Sequence, residues 1–226
     1  MKKIIASLVA AVAVALPAHS DPLKDNEYYS NHSMGCMLLQ ECTDDVEPIW
    51  GIDYLAQEYP LSNWNPVAEE FSRMLNALTL VDVQVYLADE KYFPVGHRGV
   101  YHTVSNNFYL NKTFMGRPHV LMSVMRHEGW HAAQDCMAGS LDNNNIAIIY
   151  PEEDVPQAYV LAAEIAYAAQ PAVLPWEKEA KWAGGTPDMT LDVLRIINET
   201  NNRPWDVIEP TPMTREWLVN QGYINE

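Results

Sequence analysis

The chain is expected to adopt an α+β fold, with a small mixed sheet, one long helix against it, and a mainly helical C-terminal half. Three observations carry this expectation. Val81-Asp82-Val83-Gln84-Val85-Tyr86-Leu87 alternates apolar and polar residues, the period of a half-buried strand. Val120 to Ala138 contains no proline and sets Val120, Val124, His127, His131, Gln134 and Ala138 four and three residues apart, on one helical face. Beyond Gly139 the longer readable runs have helical start and stop signals.

The opening MKKIIASLVAAVAVALPAHS joins two lysines, an apolar run from Ile4 to Leu16, Pro17 and a small-residue end. This is the pattern of a secretory signal peptide cleaved before Asp21. The apolar run, about 13 residues, is short of the roughly 20 that span a bilayer. Residues 21–226 are expected to form a single domain outside the cytoplasm, with the sheet in its part up to about residue 140 and helices in 141–226. No later stretch reads as transmembrane. The chain has 14 Lys and Arg against 30 Asp and Glu, a formal net charge of −16; without Lys2 and Lys3 the balance is 12 against 30, or −18. Such a field repels nucleic acid and anionic membranes and favours solubility. No Gly-rich phosphate loop, basic patch or internal repeat occurs.

Residues 21–33 read as an extended lead-in, and Pro48 and Gly51 interrupt any long helix between Gly35 and Tyr59. Leu61 to Leu78 reads as a helix capped by Asn65, with Pro66 at its first position and Glu69 and Glu70 in its first turns. Its face of Val67, Phe71, Met74, Leu75 and Leu78 should pack on the sheet. Val100 to Val104 and Phe108 to Leu110 are β-prone, and Ser105-Asn106-Asn107 between them suits a hairpin turn. Lys112 to Pro118 leads into the long helix. Gly129 costs that helix about 1 kcal/mol, and Gly139 stops it. The run LDNNN, 141–145, reads as a loop and Ile146 to Tyr150 as a short apolar piece. Asp154 and Pro156 open a helix that Pro171 ends, Thr190 caps LDVLRIINE, and Thr214 begins REWLVNQ. Trp176, Trp182, Trp205 and Trp217 read as packing residues.

The chemistry concentrates in His127-Glu128-Gly129-Trp130-His131. At about 100° per residue, histidines four apart lie roughly 40° apart around a helix and one turn apart along it. Two imidazoles so placed can share one Zn²⁺ through ring nitrogens. The intervening carboxylate, Glu128, suits a general base. Asp135, four residues beyond His131, could accept a ring N–H from outside the ligand set.

On His127, Glu128 and His131 the chain resembles the zincins, zinc metallopeptidases with His-Glu-x-x-His on their active-site helix. The resemblance implies a zincin-like fold, zinc held by both histidines, Glu128 as general base, and a peptide or protein substrate. It also implies that an edge strand beside the helix pairs with extended substrate, a part open to Phe108 to Asn111. Such a site needs a third protein ligand and an open position. Met137 stands where a metzincin has its third histidine, and no histidine follows His131, so a later ligand must be a carboxylate, the gluzincin-like arrangement. Glu164 is the expected one. Between Ala158 and Ala169 it is the only charge, and a carboxylate buried without a partner there would cost several kcal/mol. Glu152 and Glu153 compete, although they sit in a polar patch that reads as solvated. Tyr167 is the first choice for a donor to the oxyanion of the reaction, with Tyr159 and His102 as others.

Cys36, Cys42 and Cys136 allow one disulfide and leave one thiol, and the sequence does not choose the pairing. The expected function is a secreted or periplasmic zinc metallopeptidase. The alternatives are a zinc hydrolase of cell-wall or other amide substrates and a non-catalytic binding protein with a structural metal. Oligomeric state is not legible.

Overall fold

The computed structural model describes residues 31–138, 145–200 and 208–210. The expected signal segment 1–20, the stop at Gly139, the loop 141–144, Trp205, Trp217 and the helix from Thr214 lie outside these residues. In chain order the elements are α1 (Asn31–Leu38), β1 (Val46–Pro48), α2 (Ile52–Glu58), α3 (Ala68–Thr79), β2 (Gln84–Ala88), β3 (Gly99–His102), β4 (Asn107–Asn111), α4 (Lys112–Met115) and α5 (Pro118–Met137). They continue with β5 (Asn145–Ala147), α6 (Gln157–Ala166), α7 (Leu174–Gly185), α8 (Met189–Thr200) and β6 (Ile208–Pro210). The α+β class is borne out: a four-stranded mixed sheet precedes a helical C-terminal half.

The sheet runs β1-β2-β4-β3, with β2 and β4 parallel and the outer pairs antiparallel. The expected hairpin is present as β3–β4, and Asn106 turns it with φ 55°. Phe108 to Asn111, considered above as a substrate-pairing edge, is interior, because β4 has β2 on one side and β3 on the other. The edge beside α5 is β3. The alternation Val81 to Leu87 holds in burial, although pairing begins only at Gln84 because Asp82 turns the chain with φ 60°.

One face of the sheet presents Val85, Leu87, Phe108 and Leu110 to α3 and α5. Phe71, Met74 and Leu78 of α3 are fully buried there, each contributing roughly 1.5–3 kcal/mol by burial. The other face, with Tyr86 and Tyr109 stacked at 5.3 Å, packs on Met34, Met37 and Leu38 of α1. A Cys36–Cys42 disulfide closes α1 onto the following turn, and Cys136 is a buried thiol at the end of α5. The helix expected from Asn65 starts at Ala68 instead. Asn63 Oδ1 accepts the Asn65 N–H at 3.2 Å, a local turn that competes with the cap.

α5 is the central helix, buried on most of its circumference and packed by α3, α7, α8 and β3. Gly129, costly for helix propensity, explains itself by packing: a Cβ there would lie 3.2 Å from Thr190 Cγ2 and 3.6 Å from Met74 Sδ. Arg126 joins α5 to α3 through a bidentate pair with Glu70 at 2.6 and 2.7 Å. Thr190 does not cap α8 but lies within it, donating its hydroxyl to Arg126 O at 2.7 Å. Among the described residues no helix is long and apolar enough to cross a membrane.

Candidate metal centre

His127, Glu128 and His131 lie together on α5, with one ligand atom from each within 4.8 Å of the others, close enough to hold a metal ion. The two imidazoles stand edge to face, their centroids 5.0 Å apart. The helical periodicity of the motif sets this arrangement.

A carboxylate that the sequence reading did not select meets both rings. Glu177, in the first turn of α7, places Oε2 3.4 Å from His127 Nε2 and Oε1 3.4 Å from His131 Nε2. It is buried, and Oε2 has no hydrogen-bond partner among the described residues. Burial alone would lower the His131 pKa, but the Glu177 charge outweighs it and pushes the ring up to about 9. Burial likewise works to raise the Glu177 carboxyl, and the His131 charge holds it well below the usual carboxylate range.

Glu164, the expected third ligand, does not stand at the histidines. Its side chain is 45% exposed, with Oε1 3.7 Å from Lys178 Nζ. The premise that placed it there fails, because α6 buries only Val160 and Ala163 and leaves Leu161 and Ile165 exposed. Glu152 pairs with Lys178 at 2.8 Å and Glu153 is exposed, as a solvated helix start requires. The expected helix to Gln170 ends at Ala166, and α7 was not anticipated. Its run Trp176-Glu177-Lys178-Glu179 looks like an exposed charged turn, yet all three charged residues are buried. The available signal was the small-residue stretch Ala180, Ala183, Gly184, which allows close helix packing. A Cβ at Gly184 would lie 3.1 Å from Ser123 O and 3.2 Å from His127 Cβ.

Behind His131, buried polar side chains are joined by hydrogen bonds. His131 Nδ1 meets Gln134 Oε1 at 2.8 Å, leaving Nε2 directed at Glu177. Gln134 Nε2 donates to Glu179 Oε2 at 2.7 Å, and Trp130 Nε1 donates to the same oxygen at 3.0 Å. Glu179 also accepts the Tyr150 backbone N–H. Asp135 does not take the ring N–H; it accepts the Tyr101 hydroxyl at 2.7 Å.

Glu128 Oε2 accepts the Tyr101 backbone N–H at 3.0 Å. Asn111 N–H donates to Arg98 O, so alternate residues Gly99 and Tyr101 turn their backbone groups outward from the sheet. A cleft of about 490 Å³ lies here, lined by His127, Glu128, Gly99, Tyr167, Lys181 and Gly184 among others. Tyr167 is thus at the cleft. Burial first, then the Glu177 charge, raise its pKa, so the phenol stays protonated. His102 is buried in the hairpin, its Nδ1 2.7 Å from Ser105 Oγ. Tyr159 lies against Gly185, at the far end of α7.

No family model, curated protein or solved structure matches the chain. What the residues establish is therefore a His-Glu-His group able to hold a metal, on the central helix of an α+β fold.

Proposed function

We propose that the chain is an exported, gluzincin-like zinc metallopeptidase in which His127, His131 and Glu177 hold the metal and Glu128 is the general base. The observation that carries this reading is the pair of 3.4 Å separations between Glu177 and the two Nε2 atoms. Charged hydrogen bonds are shorter, about 2.7–2.9 Å. Two nitrogen or oxygen ligands about 2.0–2.1 Å from one tetrahedral zinc are roughly 3.4 Å apart. The donor set, two imidazoles and a carboxylate, is that of known zinc hydrolases, and a cation would satisfy the orphaned Glu177 Oε2.

Two carboxylates approach the histidines, and their surroundings separate their roles. Both are buried, but Glu128 is tied to the sheet by Tyr101 N–H and lines the cleft, whereas Glu177 is not among the cleft-lining residues and meets both ring nitrogens. Bound zinc would acidify a water and polarise the scissile carbonyl. Glu128, steadied through one oxygen, would use the other to take the proton of the attacking water and pass it to the leaving amine. Tyr167, held protonated, donates to the developing oxyanion. Of the outward groups of β3, the Tyr101 N–H is held by Glu128, and the backbone of Gly99 suits pairing with an extended peptide. The signal-like N-terminus and the Cys36–Cys42 disulfide fit a secreted or periplasmic site of action.

The test is metal removal. The purified protein should contain one zinc and cleave unfolded protein substrates, lose cleavage on dialysis against a chelator, and regain it with Zn²⁺. Protein that takes up no zinc at pH 7, or that is loaded yet leaves every peptide intact, would sink the reading. A finer check is Gly184→Ala. The new methyl forces α7 away from α5 by a few tenths of an ångström, carrying Glu177 with it. Zinc affinity should fall roughly 10-fold, the scale of an outer-shell change, despite a gain of about 1 kcal/mol in helix propensity. Competition titration against a chromogenic chelator measures it, and unchanged affinity refutes the tight α5–α7 coupling.

A further inference from the structure

We propose that the cleft recognises a carboxylate on the substrate, held by Lys181 and Arg98 on either side of the reacting bond. This rests on the hydrolase reading and names the substrate class of that site. The chain as a whole is strongly acidic, with 30 Asp and Glu against 14 Lys and Arg. Its cleft departs from that balance. Glu128, assigned to proton transfer, is the only carboxylate in the lining, which also holds Arg98 and Lys181.

These two cations differ from most others among the described residues. Arg73, Lys91, Lys112, Arg126, Lys178 and Arg195 each meet a carboxylate within 4.0 Å. Arg98 and Lys181 have no such partner among the described residues and stand over aromatic rings instead. The Arg98 guanidinium is 5.6 Å from the Phe114 ring centroid, and Lys181 Nζ is 5.8 Å from that of Tyr167. A cation over a ring face is positioned but keeps its N–H donors for a ligand. Arg117, also without an ion pair, lies outside the cleft lining.

Their placement follows from the elements that build the metal centre. Glu177, Lys181 and Gly184 are spaced four and three apart, so they share one face of α7. Gly184 sits against His127, which fixes that face beside the histidines. Arg98 immediately precedes the edge strand β3, which packs on α5 as α7 does and lines the same cleft, and its carbonyl is held by Asn111 N–H. A peptide lying along β3 over Glu128 would pass between the two cations. A carboxylate near the cleaved bond would find charged donors on either side, whereas a basic side chain would find repulsion. The carboxylate can come from Asp or Glu side chains or from a chain terminus.

The experiment uses zinc-loaded protein and a peptide pool with matched Asp/Asn and Glu/Gln positions around the cleaved bond, each with a free or an amidated C-terminus. Acidic members should show kcat/KM higher by on the order of 10- to 100-fold, the scale of a charged hydrogen bond. Preference for Asp and Glu identifies the side chain as the source, and preference for the free terminus identifies the chain end. The ratio should collapse toward one in Arg98→Ala/Lys181→Ala, and Lys181→Glu should turn the preference toward lysine-containing peptides. Cleavage without discrimination overturns the carboxylate inference and leaves the hydrolase reading standing. If no peptide is cut, the hydrolase reading fails, and calorimetry on zinc-loaded Glu128→Gln decides the inference with acetyl-Ala-Glu-Ala-amide, acetyl-Ala-Gln-Ala with a free C-terminus and acetyl-Ala-Gln-Ala-amide. Tighter binding of either carboxylate-bearing peptide supports it, and equal binding of all three overturns it.

Discussion

Glu177→Ala is expected to abolish tight zinc binding, while Glu164→Ala leaves affinity at the wild-type value. The Glu177 carboxylate lies 3.4 Å from both Nε2 atoms, and no other described carboxylate except Glu128 shares that space. Its removal leaves the two imidazoles with Glu128, whose Oε2 is already engaged by the Tyr101 N–H, a poorer set than one with a dedicated third ligand. Affinity should fall by more than the roughly 100-fold that outer-shell substitutions cause. Glu164 is an exposed partner of Lys178, and losing such a pair changes stability by at most about 1 kcal/mol. Metal content after gel filtration and chelator competition, run on both variants, measure the contrast. Wild-type zinc affinity in Glu177→Ala would remove Glu177 from the ligand set.

Glu128→Gln is expected to keep the metal and lose hydrolysis. Glutamine has the same shape, and its carbonyl oxygen can still accept the Tyr101 N–H that Glu128 accepts at 3.0 Å. It cannot carry a proton from water to the leaving group. General-base contributions are typically about 10²–10⁴-fold in rate, and kcat should fall by that factor while zinc content and thermal midpoint stay put. Undiminished kcat would clear Glu128 of any role in proton transfer. Loss of zinc together with activity would make Glu128, not Glu177, the third ligand.

The parts of the molecule set by local periodicity were legible in the sequence. The strand before Ala88, the hairpin at Asn106 and the histidine-bearing face of α5 follow from spacings of two, three and four residues. The third carboxylate was not legible, because it depends on which helix docks on α5. α6 is the more apolar of the two following helices and drew attention, but much of its apolar surface faces solvent. α7 carries Glu177, Lys178 and Glu179 in sequence, which reads as a wet turn. Its burial is made possible by small residues further along, and each charge finds a partner: Glu177 the histidines, Lys178 Glu152, Glu179 a tryptophan and a glutamine. The edge strand was misassigned for a similar reason. Nothing in Phe108 to Asn111 alone reveals that β2 returns parallel beside it.

The chain of contacts from His131 through Gln134 to Glu179 and Trp130 has a practical consequence for anyone wishing to make this protein hardier. Gln134, which meets the ring, is itself held by Glu179, and Glu179 in turn accepts from an indole and a main-chain amide. Durability and the setting of the histidine ring therefore draw on one shared set of side chains, and a substitution made for either will disturb the other if it enters that layer. Leu161 and Ile165, facing outward on α6, offer ground where solubility can be improved without touching the chemistry.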